Sequence, residues 1–199
     1  QLAVSDMDIY RNLTPRVLAG RKQLLEGSQV VVIDTNLPAE SIAWLADNCH
    51  APIFADPVST VKAEKLRPVL GKLHTLKPNR LEAELLSGVP ITGTDSLHRA
   101  AQTLLETGLH RVFISLGADG VYAADQSGSV TLPAPKAEMV STTGCGDSFM
   151  AALTWAYLQG SDLERSARAG LAASSLTMES AETIHPSMSE AELLRRMAL

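Results

Sequence analysis

The run Ser141-Thr142-Thr143-Gly144-Cys145-Gly146-Asp147-Ser148-Phe149 sets two glycines around one small residue, directly before an apolar stretch. Glycine lets the backbone turn tightly and approach a ligand closely. Where a helix starts, its first N–H groups have no internal partner and its dipole favours negative charge. Such a loop suits a phosphate, or the charge that develops on a phosphoryl group in transfer. Asp147 stands at this point. A carboxylate beside an anion hole repels a bound phosphate, but it suits a base that accepts a proton from an attacking hydroxyl. The same residues also fit a plain helix start with Asp147 as its cap, and they leave both readings open.

A second segment, Lys77-Pro78-Asn79-Arg80-Leu81-Glu82, carries Asn79 and Glu82 at capping-box spacing. Either they only close a helix start, or Asn79 meets a phosphate and Glu82 helps hold Mg²⁺ through water, since that ion keeps several waters. A third, Ser115-Leu116-Gly117-Ala118-Asp119-Gly120, reads as a strand ending in a glycine turn. It is either the lining of a nucleotide pocket or an ordinary strand-to-hairpin turn. Asp34 and Asp56 fall at expected strand ends, where acids serve active sites or close loops through their own side chains. The five histidines (50, 74, 98, 110 and 185) show no ligand spacing and read as surface or helix-end residues. No Walker A sequence is present, which argues against a P-loop enzyme.

Alternating elements must position these groups. Helices are expected over Leu13–Glu26, with Thr14 as N-cap and Pro15 in the first turn, and over 39–48, 61–70, 80–87 and 96–107. The apolar runs Gln29–Asp34, 52–55 and 111–116 read as strands covered on both faces, with a short extended piece at 75–77. That rhythm predicts an α/β fold with a mostly parallel sheet and right-handed crossovers. A hairpin follows, with 120–124 and 129–132 flanking Asp125-Gln126-Ser127-Gly128. Three helices close the chain, at 147–159, 163–178 and 189–197, the first carrying Phe149, Leu153, Ala156, Tyr157 and Leu158 as its apolar stripe.

The 199 residues suffice for one large domain spanning 1–199, and 45% hydrophobic with 20% charged residues argues against disorder. A net charge of -5 offers no basic face to nucleic acid or to an anionic membrane. An anion such as ATP must therefore be held by local donors. Cys49 and Cys145 are the only cysteines, far apart, which points to a reducing cytoplasm rather than a disulfide framework. No run is long enough to span a bilayer. The start, Gln1 to Asp8, has neither the basic nor the apolar region of a signal peptide. It opens as though partway through a strand, so the chain is expected to begin inside a longer protein.

Taken together, TTGCGDSF (142–149), the Asn79-x-x-Glu82 pair and the turn at 115–120 resemble the signatures of the PfkB, or ribokinase-like, carbohydrate kinases. The resemblance runs over essentially the whole chain. It implies a three-layer α/β/α fold and transfer of the ATP γ-phosphoryl to a sugar or nucleoside hydroxyl, with Mg²⁺. It makes Asp147 the base and Gly144, Cys145 and Gly146 the anion hole. It sets Asn79, Ser115, Gly117, Gly120, Thr142 and Ser175 by the nucleotide, with 170–175 near adenine and Glu82 serving Mg²⁺. The wording of Asp6–Tyr10 and of VVIDTNLP (31–38) is similar to that of bacterial pseudouridine kinases. The expected partners are ATP and a small nucleoside or sugar. Ribose, another nucleoside, a sugar phosphate, or a non-catalytic nucleotide-binding role on the same fold are the alternatives.

Two departures from the family pattern carry consequences. Ser141 replaces the usual Asp, a ligand of a monovalent cation in many members, which puts K⁺ activation by that route in doubt. Cys145 replaces the usual Ala, and a helix N-terminus is expected to lower its thiol pKa. The family's Gly-Gly start and β lid, which bind the acceptor and commonly form a dimer contact, are not in this sequence. The 199 residues alone are therefore expected to bind nucleotide poorly and turn over little.

Overall fold

A computed structural model describes residues 6–198, so the expected opening within a strand at residues 1–5 lies outside the described residues. The chain divides into two compact units, Gln1–Val112 and Phe113–Leu199.

In the first unit, β1 (Val31–Asp34), β2 (Ile53–Asp56), β3 (Thr75–Leu76) and the start of β4 (Arg111–Ser115) pair in that order. All three pairings are parallel, with Ile33 opposite Ala55, Ala55 opposite Leu76, and Leu76 opposite Val112. Each return to the sheet's start runs through helix, as parallel pairing requires. These are α3 (Ala39–Asn48), α4 (Thr60–Ala63) with a 3-10 stretch over Glu64–Lys72, and then α5 (Arg80–Ser87) and α6 (Thr94–Glu106). On α6, Leu97, Ala100, Ala101, Leu104 and Leu105 are all buried, which is one face of a helix. With Ile42, Phe54, Leu66 and Leu76 they belong to the core of this unit.

Three expectations need correction here. The helix expected over Leu13–Glu26 is two five-residue turns, α1 (Pro15–Ala19) and α2 (Lys22–Glu26), with no buried residue on either. Short helices hold through packing, and these offer it only half-buried residues, Pro15 and Leu18 on α1 and Leu25 on α2. The helix expected over 61–70 is mostly 3-10 because Pro68 lies inside it and cannot donate to the ladder. Finally, β1 is not covered on both faces, for Val32 is 49% exposed while Ile33 is buried.

In the second unit, the end of β4 leads through a 3-10 turn at Gly117–Asp119 into β5 (Val121–Asp125) and β6 (Gly128–Leu132). The β5 and β6 strands pair antiparallel around Gln126-Ser127. Helices α7 (Cys145–Leu158), α8 (Leu163–Met178) and α9 (Glu190–Met197) follow. The buried residues of α7 are Phe149, Met150, Ala152, Leu153 and Ala156. Leu158, expected in that stripe, is exposed at the helix end. Asp162 caps α8 by accepting from Arg165 N, and Ser189 caps α9 by accepting from Glu192 N. Among the described residues, no helix is long and apolar enough to cross a membrane.

Candidate functional site

In the second unit the glycine-rich loop feeds α7. Gly144 is its N-cap, with φ 85 and ψ -7, a left-handed conformation that glycine takes without strain. Val140 N and Ser141 N both donate to the carbonyl of Met178, tying the loop to the end of α8. Cys145 N donates to Thr142 O at 3.3 Å, a long bond. Among the described residues the amides of Gly144 and Gly146 meet no carbonyl, so two of the three expected anion-hole donors are unengaged.

Asp147 is the third residue of α7, exposed, and its carboxylate accepts no hydrogen bond among the described residues. The helix therefore starts without it. Gly144, not Asp147, holds the cap position, so the plain capping role does not account for the acid. Thr142 is exposed.

Cys145 departs from its expected chemistry. Burial pushes its thiol pKa up rather than down. Its Sγ lies 3.6 Å from the carbonyl oxygen of Ser174 and 3.9 Å from that of Ser141, and donation to either requires the proton to stay. Ser174 Oγ returns a bond to the Cys145 carbonyl at 2.7 Å. Of the expected nucleotide residues in this unit, Ser115 is half-buried at the end of β4, and Gly117 (φ 63) is exposed with open space before it. Gly120 is buried, and a Cβ there would lie 2.0 Å from the carbonyl oxygen of Leu132. Ser175 is 3% exposed and donates to the Ala172 carbonyl at 2.9 Å, so its hydroxyl is used within its own helix.

A cavity of about 420 Å³ in the same unit was not legible in the sequence. Its lining includes Leu132, Pro133, Lys136 and Arg168 with Leu171 and Ala172 of α8. It is mostly apolar with cations at its margin, and it includes part of the 170–175 segment expected near adenine.

In the first unit, Asn79 and Glu82 make the full capping box of α5. Asn79 Oδ1 accepts from Glu82 N at 3.0 Å, and Glu82 Oε2 accepts from Asn79 N at 2.9 Å. The capping reading is thus realised, but it uses only half of each side chain. Glu82 is 3% exposed, and burial, partly offset by the Asn79 amide, pushes its pKa up, with Asp56 adding to the rise and Lys77 opposing it. Lys77, to which the sequence analysis assigned no role of its own, pairs with Asp56 at 3.0 Å. Of the two readings open for these acids, loop closure is seen, with Asp56 accepting from Val58 N and Asp34 from Asn36 N.

Among the described residues no three acidic, histidine or cysteine side chains converge as a metal cage. The donor set is Glu82 with one oxygen engaged. That fits Mg²⁺ carried mainly by phosphates and water, and does not fit an all-protein site. His74 corrects the reading of the histidines as surface residues. It is half-buried between Phe54 and His110, with ring centroids 5.3 Å from each.

Residues 14–191 match the pfkB family carbohydrate kinase profile. The chain is 37% identical over 195 residues to the pseudouridine kinase of Escherichia coli K12, covering 97% of this chain and 62% of that protein. It therefore spans about three fifths of that relative's length. A carbohydrate kinase from Agrobacterium tumefaciens superposes with a TM-score of 0.84 at 27% identity, covering 100% of this chain and 64% of that one. The ribokinase of Arabidopsis thaliana, solved with ribose and ATP, superposes at 0.77 with 23% identity over 90% of this chain and 59% of that one, a likeness of fold.

Proposed function

The chain belongs to the pfkB family of carbohydrate kinases, and from that premise we propose that it is the greater part of an ATP-dependent kinase making pseudouridine 5′-phosphate from pseudouridine. The observation that carries the chemistry is the exposed, unbonded carboxylate of Asp147 one residue beyond the unengaged amide of Gly146. The choice of acceptor rests on the identity to the Escherichia coli pseudouridine kinase.

On this reading Asp147 takes the proton of the acceptor hydroxyl as that oxygen attacks the γ-phosphorus. The amides of Gly144 and Gly146 receive charge on the transferring group, and the Cys145 amide joins them by leaving its long bond to Thr142. Asn79, whose Nδ2 is not used by the capping box, serves a phosphate, and Glu82 receives the water shell of Mg²⁺. That ion supplies charge neutralisation between phosphates when bound. The cavity over Leu171 and Ala172 holds the adenine, with Gly117 and Ser115 beside the nucleotide. Ser141 in place of Asp leaves the loop without the charge to hold K⁺. Positioning and charge are what phosphoryl transfer needs most.

The test uses the full-length protein that contains this chain. Pseudouridine is expected to give the highest kcat/KM in a panel with uridine, ribose, deoxyribose and fructose 6-phosphate. Asp147→Asn is expected to lower kcat by about two to four decades while ATP affinity holds. Turnover of a different acceptor would reassign the substrate, and an unaltered rate in Asp147→Asn would remove the mechanism.

A further inference from the structure

In the first unit, Asp56 and Lys77 directly follow Ala55 and Leu76, the paired residues of the adjacent parallel strands β2 and β3. They meet at the carboxyl ends of those strands, where ligands of α/β sheets bind. Asp56 Oδ2 pairs with Lys77 Nζ at 3.0 Å, with the side chains 17% and 8% exposed. Asp56 is itself fixed. Its Oδ1 accepts from Val58 N at 3.0 Å, and Val58 is held at φ 63, an unfavourable conformation for a β-branched residue. The neighbouring lysines do not compete for it. Lys62 donates to Asn36 Oδ1, and Lys65 to the carbonyls of Thr35 and Leu37.

An ammonium has three donors, and the ion pair of Lys77 with Asp56 leaves donors to spare. Lys77 is only 6% exposed, and among the described residues Asp56 is the one ion-pair partner of its ammonium. Glu82, 3% exposed, leaves Oε1 without a donor, and the two do not pair with each other. A buried ion pair is a weak device for stability, because desolvation offsets most of its attraction. An ammonium with donors to spare, beside a carboxylate that keeps one oxygen outside the capping box, instead matches a ligand that brings both anionic oxygens and a hydrated cation.

We infer that Asp56 is a positioning residue for the phosphoryl donor, holding the Lys77 ammonium so that its N–H groups meet the phosphates of ATP while Glu82 faces the hydrated Mg²⁺. This deepens the kinase reading above and rests on it. Asp56 touches no substrate. It acts through Lys77 by fixing the rotamer and charge of a side chain that would otherwise have to be ordered on binding.

The full-length protein is titrated with the Mg²⁺ complex of a non-hydrolysable ATP analogue, and kcat is measured at saturating ATP. Asp56→Asn is expected to weaken analogue binding about tenfold, the worth of one charge-assisted hydrogen bond, with kcat changed less than about threefold. Asp56→Glu keeps the charge and is expected to restore most of the affinity. Asp56→Asn combined with Lys77→Met is expected to bind no more weakly than Lys77→Met alone, since the aspartate has then nothing to position. A purely structural Asp56 would instead lower the melting temperature with binding unchanged, or add its loss to that of Lys77→Met, and either result overturns the inference. Should Asp56→Asn not fold, Asp56→Glu decides, because its displaced oxygen must still weaken binding by about twofold or more if Lys77 is being aimed. If the wild type itself fails to bind the analogue, the kinase reading fails first and this inference falls with it. If the wild type binds and the variants match it, only the inference is lost.

Discussion

Thr183 stands against Gly144. A Cβ built at 144 would lie 2.6 Å from the Thr183 carbonyl oxygen and 2.7 Å from its Cγ2. The segment after α8 therefore covers the turn that starts α7, and it fixes where the amides of Gly144 and Gly146 point. Two separate penalties follow for Gly144→Ala, one from φ 85 and one from Thr183. Gly88, the C-cap of α5, has φ 72 with nothing within 4 Å of a built Cβ, so Gly88→Ala carries the first penalty alone. The strain term is about 1–3 kcal/mol at either site. Thermal and urea unfolding should show Gly144→Ala losing clearly more stability than Gly88→Ala. Equal losses would mean that the Thr183 contact carries no weight.

Gly170 faces Phe149 across the α7–α8 packing. A Cβ at 170 would lie 2.4 Å from Cε1 of that ring. Glycine to alanine inside a helix ordinarily gains about 1 kcal/mol. Here the ring cannot retreat, since Phe149 is 4% exposed and packs edge-on to Phe113 with centroids 6.4 Å apart. Gly170→Ala is therefore expected to reverse sign and lose about 1–3 kcal/mol, the range for overpacking. In a Phe149→Leu background the same substitution should cost less. A stabilising Gly170→Ala in urea unfolding would disprove the contact.

What could be read from the chain was whatever is local. The turn into α7 is encoded by Gly144, Cys145 and Gly146 in succession, and the start of α5 by Asn79 and Glu82 three apart, so neighbours in sequence are the interacting partners. The parallel strands were legible because residues such as Phe54 and Ile114 lie in short apolar runs between helices. The Asp56–Lys77 pair was not, because strand register joins residues with 20 positions between them, and nothing at either position announces the other. The cavity at Leu132–Lys136 joins a loop to two later helices and was hidden for the same reason. Thr183 above Gly144 is a third case. The error over Leu13–Glu26 is of another kind, because a helical pattern there is not matched by any fully buried residue on α1 or α2. Periodicity predicts a helix only where there is a core to receive it.

The stack of His74 between Phe54 and His110 gives the protein an acid-sensitive element. Burial lowers the His74 pKa from the ordinary 6.5 to about 4, and the nearby His110 and Arg111 push the same way. The neutral ring is the folded form, with Nδ1 2.9 Å from the Thr75 hydroxyl. Between pH 6.5 and 4 the unfolded chain binds a proton that the folded chain refuses. The contribution is thus complete above pH 6.5, declines as the pH falls, and is exhausted near pH 4. Urea midpoints measured down this range should fall, and His74→Phe, which keeps a flat ring in the stack, should fall less steeply. His110 is one cause of the lowered His74 pKa, so His110→Phe should remove that part and raise the midpoint at pH 5. Parallel curves for wild type and His74→Phe would show that the ring at 74 titrates normally in the folded protein.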